Sequence, residues 1–135
     1  MTTPIRRRSH YLALACGVVA LGLASRRWPL FPSWLDKYPG DALWALLVFV
    51  LLGTASPRAS SERTALAALT LAFAVEFSQL CTWPWLVACR GTTLGHLVLG
   101  SHFHTPDLIA YAVGVGLGWL AERCWRARRR DCGAA

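Results

Sequence analysis

An all-α fold embedded in a membrane follows from three observations on this 135-residue chain. Hydrophobic residues make up 55% and charged residues only 16%, whereas soluble domains carry about a quarter charged residues. Four apolar stretches recur, Tyr11 to Ser25, Ala42 to Ala55, Thr64 to Cys81 and Leu108 to Ala121. With its flanks, each approaches the ~20 residues that cross a hydrocarbon core. Arginines cluster at the ends of these stretches. The predicted architecture is an integral-membrane four-helix bundle over residues 11–122, with spans at about 11–26, 41–56, 63–82 and 106–122. A basic N-terminus (1–10) and a basic tail (123–135) flank it.

The net charge of +7 does not point to nucleic acid, because 13 of the 14 basic residues are Arg and sit beside apolar runs. That is the pattern that orients membrane proteins. With both termini cytoplasmic, the inner side holds ten basic residues: Arg6 to Arg8, Arg58, Arg63, Arg123, Arg126 and Arg128 to Arg130. The outer side holds four: Arg26, Arg27, Lys37 and Arg90. The expected location is therefore a bacterial inner membrane, multi-pass. A cleaved signal peptide is the alternative for the N-terminus. Arg26 and Arg27 directly after the apolar run argue against it.

The first helix is expected to end near Arg26, where Trp28, Pro29, Phe31, Pro32 and Trp34 form an aromatic, proline-rich outer loop. Prolines stop helices and tryptophans favour the interface. Asp41 is the expected N-cap of the second helix. Pro57 to Arg63 makes the inner turn, with Ser60 or Ser61 as cap of the third helix. The outer connection from Leu86 to His104 is long and apolar, which predicts a re-entrant or interfacial segment. Thr105-Pro106-Asp107 reads as the start of the fourth helix, with a disordered tail expected after about Arg128.

Glu76 is the residue that needs explaining, because a carboxylate inside a span costs roughly 2.5 kcal/mol or more and usually faces a partner or a cavity. Helical spacing puts Gln79 on its face. On the fourth helix, Asp107, Tyr111, Gly114 and Gly118 form one stripe, polar outside and nearly side-chain-free inside, and its glycines permit close helix approach. The topology then gathers Glu76, Gln79, Arg90, Asp41 and Asp107, flanked by Arg26 and Tyr111, at one membrane face. Opposite charges can balance there, and Arg offers a planar fork for carboxylate or phosphate. A structural ion pair from Glu76 to Arg90 or Arg26 is the competing reading.

No cofactor is implied. His96, His102 and His104 lack metal-site spacing, and Ser78 has no nucleophile elbow around it. Cys16, Cys124 and Cys132 read as small hydrophobes or reduced thiols, whereas Cys81 and Cys89 at the outer face could pair as a disulfide.

The ordered set Ser25-Arg26, Tyr38-x-Gly40-Asp41-x-x-Trp44, Glu76-x-x-Gln79-Leu80, Arg90, and Leu97-x-Leu99-Gly100-x-x-Phe103-x-x-x-Asp107-x-x-x-Tyr111-x-x-Gly114 resembles a bacterial family of small four-helix membrane proteins. That family is catalogued as domain of unknown function 2809 and is distantly similar to the VanZ family. The resemblance covers about Tyr11 to Leu120. It implies a fold and a membrane location rather than an activity. Three roles remain open: binding of a lipid headgroup or lipid-linked envelope precursor at an outward polar site, intramembrane catalysis with Glu76 or Asp107 as acid or base, and scaffolding of another membrane protein.

Overall fold

The computed structural model describes residues 5–28, 30–35 and 37–133. Pro29 and Asp36 of the expected outer loop lie outside the described residues, as do the side chains of Trp34, Arg130, Asp131, Cys132 and Gly133. The described chain is all-α and contains no strand. Four long helices are α1 (Arg8–Arg27), α2 (Tyr38–Ala55), α3 (Ser61–Ser78) and α6 (Thr105–Gly133), with two short ones, α4 (Pro84–Arg90) and α5 (Thr93–Leu99), between α3 and α6. Of these, α1 and α2 are long and apolar enough to cross a membrane.

Local signals explain most boundaries. The Ser60 hydroxyl accepts from the Arg63 amide at 3.2 Å and caps α3 as expected. Helix α2 begins at Tyr38 with Pro39 in its first turn, so Asp41 sits inside that turn rather than at the cap. Its charge still faces the positive end of the helix. Helix α3 stops at Ser78, short of the expected 82, because Gln79 to Cys81 form a turn. The Ser78 and Cys81 carbonyls at that turn accept from the Arg90 guanidinium.

The long, apolar outer connection coils into the α4–α5 pair. Thr92 caps α5 by accepting from the Gly95 amide, while Trp83, Trp85, Val87, Leu94 and Val98 stay exposed. The tail is not disordered after Arg128, since α6 continues through Gly133. Nothing between Gly118 and Gly133 breaks a helix. Arg126 pairs with Glu122 one turn back, and the Arg129 guanidinium lies 4.1 Å from the centroid of the Trp125 ring.

Packing differs from a four-sided bundle. Helix α2 contacts α1, α3 and α6, and α6 also contacts α3. These three form the core, whereas α1 leans chiefly on α2 and buries only Tyr11 and Ala15. Ala45, Ala68, Ala72, Phe49 and Val115 fill the centre. Small residues bring the backbones close. A Cβ at Gly114 would run into the Ala42 carbonyl, and one at Gly118 would lie 2.8 Å from Leu46 and Phe49. The glycine stripe therefore does what its spacing predicts.

Arg6 is 3% exposed and uses all five of its N–H donors. Two go to the Glu122 carboxylate at 3.0 and 3.1 Å, two to the carbonyls of Ser56 and Ala59, and one to the Thr64 hydroxyl. Arg126 meets Glu122 from the other side.

Candidate functional site

At the opposite end of the helices from Arg6, the α1–α2 connection, the starts of α2 and α6, and the α5 region surround a cleft of about 730 Å³. Five of the seven residues expected at a polar site line it: Arg26, Asp41, Gln79, Asp107 and Tyr111. Lys37, His96 and His102 join them.

Glu76 is not in the wall but directly behind it, fully buried at 0% exposure. Its Oε1 accepts from the His104 backbone amide at 2.7 Å. Its Oε2 accepts from the Tyr111 hydroxyl at 2.8 Å and the Gln79 amide at 3.2 Å. All three donors are neutral, and among the described residues no ion pair involves Glu76. The expected pairing with Arg90 or Arg26 does not form. Arg90 is occupied in capping α3 and does not line the cleft. Neutral donors suffice because His104 immediately precedes α6, whose positive end favours a carboxylate. Glu76 thus ties the end of α3, the α5–α6 junction and the second turn of α6 to one point.

Asp107, 4% exposed, accepts from Lys37 Nζ at 2.6 Å and lies 3.2 Å from His104 Nδ1. Burial lowers the Lys37 pKa, but the Asp107 hydrogen bond and charge, with Asp41 and Glu76 adding to them, outweigh it and hold the ammonium above its ordinary range. Lys37 appeared in the sequence only as one more outer charge; its pairing across 70 residues had no local signal.

Gly100 is the other residue that sequence reasoning passed over. Its φ is +64°, and a Cβ there would sit 2.6 Å from Gln79 Nε2. That amide donates to Leu99 O at 2.9 Å, so the turn after α5 and the Gln79 side chain are locked together. A glycine directly after an apolar helical run was the available clue.

Two acceptors in the wall stay unmatched. Among the described residues Asp41 Oδ2 and Gln79 Oε1 are shielded and have no donor. Such groups cost free energy unless something supplies a hydrogen bond. Arg26 is exposed at the rim and makes no ion pair among the described residues.

The cleft is also not isolated. A small apolar groove of about 90 Å³ runs between α1 and α2, walled by Val18, Val19, Gly22, Leu23, Leu43 and Leu47. It shares Arg26, Gly40, Trp44 and Leu97 with the cleft. A polar chamber and an apolar channel therefore meet at an arginine. Among the described residues no group of three His, Cys, Asp or Glu is placed to hold a metal. Cys81 and Cys89 are free thiols.

No solved structure matches this chain. A family model, described as Protein of unknown function (DUF2809), matches residues 30–115, a segment that contains Lys37, Asp41, Glu76, Gln79, Gly100, Asp107 and Tyr111 and excludes Arg6 and Glu122. With most of its length and nearly all of the cleft inside that match, the chain belongs to the DUF2809 family.

Proposed function

We propose that this protein is a multi-pass membrane protein that holds a membrane lipid, or a lipid-linked envelope precursor, with the headgroup in the cleft and the first part of a tail in the α1–α2 groove. The observation that carries this reading is the confluence of the two cavities at Arg26, Gly40, Trp44 and Leu97. An amphipathic ligand needs that order of surfaces: polar acceptors, a cation for a phosphate, then apolar wall. A soluble polar ligand would leave the groove unused.

In this reading α1, α2, α3 and α6 all cross the inner membrane, and both termini are cytoplasmic. Support comes from the large apolar side chains exposed on each of them, such as Leu14 and Leu23 on α1, Leu51 on α2, Leu66 and Leu71 on α3, and Ile109 and Leu117 on α6. The excess of arginine at the Arg6 end favours the same orientation. The cleft then opens at the outer leaflet, and the exposed Trp83 and Trp85, before and within α4, lie at the interface. A catalytic role for Glu76 gains no support, because its oxygens are engaged and it does not reach the cleft wall.

Gly40 supplies the test. A Cβ there meets nothing within 4 Å, and Leu favours a helix over Gly by roughly 0.5 to 1 kcal/mol. Gly40→Leu should therefore plug the junction without lowering the melting temperature. Mass spectrometry of the purified full chain is expected to find phospholipid on the wild type and little on this variant. A lipid-free wild type, or equal lipid on both, would leave the scaffold reading instead.

A further inference from the structure

The open valences of the cleft also indicate which headgroup it takes, an inference that rests on the lipid-site reading above. We propose that the bound lipid is an aminophospholipid, whose headgroup carries a primary ammonium beyond its phosphodiester.

Each charged or polar group in the wall either has a partner or lacks one. Lys37 is spent on Asp107, so the one remaining cation described in the wall is Arg26, at the junction with the apolar groove. A phosphodiester sits at that place in a glycerophospholipid, between tails and headgroup. The unmatched groups of the wall residues are of the opposite kind, Asp41 Oδ2 and Gln79 Oε1, both acceptors and both shielded behind the surface. Gln79 cannot turn its amide to serve as a donor without breaking its bonds to Leu99 and Glu76. Rotation about χ2 presents either oxygen of Asp41 to the cleft, since that torsion is broad and nearly two-fold.

A ligand that meets Asp41 must therefore bring a positive charge together with N–H or O–H donors. A primary ammonium has three donors and the charge. A choline headgroup has the charge but no N–H, and would leave both acceptors unmatched. A glycerol headgroup has hydroxyl donors but nothing to balance Asp41. The pattern of one rim cation and two inner acceptors thus fits phosphoethanolamine chemistry and rejects its two common neighbours for different reasons.

The full chain would be placed in nanodiscs holding equal amounts of phosphatidylethanolamine, phosphatidylcholine and phosphatidylglycerol, extracted in mild detergent, and its retained lipid identified by native mass spectrometry. Phosphatidylethanolamine is expected to exceed each of the others by about tenfold, the size of one charge-assisted hydrogen bond. Asp41→Asn should still carry lipid, with the preference reduced to about twofold or less. Arg26→Ala should lower retention of all three lipids alike. Retained lipid without preference in the wild type, which needs no variant to fold, would overturn the headgroup assignment and leave the lipid site standing. A preference that survives Asp41→Asn would do the same. Absence of all three lipids from the wild type would overturn the lipid site itself.

Discussion

At the arginine end, a guanidinium meets five acceptors and a carboxylate is held between two cations, Arg6 and Arg126. At the cleft end, a fully buried carboxylate meets only neutral donors, while Asp41 Oδ2 and Gln79 Oε1 stay shielded and unmatched in residues that line a cleft of about 730 Å³. Both clusters join distant segments: Arg6 to Glu122 spans 116 residues and Lys37 to Asp107 spans 70. The difference lies in satisfaction. Arg6, whose five donors are all used, can only stabilise a packing, whereas a cleft wall that keeps unmatched acceptors can receive something. Buried charge alone does not separate the two.

Substitutions can break this contrast, and the largest effect is expected at the closed end. Arg6→Ala strands Glu122 and three other acceptors, and should destabilise the fold by about 3 to 5 kcal/mol. A thermal unfolding curve in detergent that does not shift would remove the claim that this end is a lock. Glu76→Gln presents an amide to groups that are themselves donors and should cost about 2 kcal/mol. Its partners Gln79 and Tyr111 line the cleft, so lipid retention should fall with it; stability lost with retention intact would make Glu76 purely structural.

Gly100→Ala combines a left-handed φ with a contact on Gln79 and should cost about 1 to 2 kcal/mol. Here the sharper readout is lipid retention, since the displaced side chain is the cleft wall. Lys37→Met has the smallest expected effect, under about 1 kcal/mol, because the ammonium is half-exposed and screened. Its pKa is raised in the folded protein. The stabilisation it gives is therefore whole below the ordinary value of 10.5 and is lost only as pH climbs beyond it through the raised value. Unfolding compared at about pH 8 and pH 10 should show the same difference between variant and wild type, narrowing only at higher pH. A difference that vanishes by pH 9 would place another group's titration there.

How much of this was readable beforehand depends on whether the information was local. The helices follow from apolar runs, prolines and the Ser60 cap. Helical spacing placed Glu76 beside Gln79, and the stripe from Asp107 through Gly118 against a neighbouring helix. The long greasy connection announced itself as unusual, although not that it would coil into α4 and α5. What was missed is non-local or backbone-driven. Arg6 lies outside every apolar run and resembles an orienting charge, and Glu122 resembles a tail residue. Arg90 was expected to seek a carboxylate, yet it bonds the Ser78 and Cys81 carbonyls at the turn after α3. Gly100 matters for its φ and for the space beside Gln79, neither of which composition records.

The peripheral setting of α1 has a mechanical consequence. Its start is pinned through Arg6 to α6 and to the α2–α3 turn, while its far end, carrying Arg26, rests chiefly on α2. A helix of 20 residues is about 30 Å long, so it acts as a lever with its fulcrum at the arginine clamp. A tilt of about 5° would carry the Arg26 end through about 2.6 Å and widen the groove sideways toward the bilayer. The arginine clamp would then serve as the hinge pin on which the groove opens.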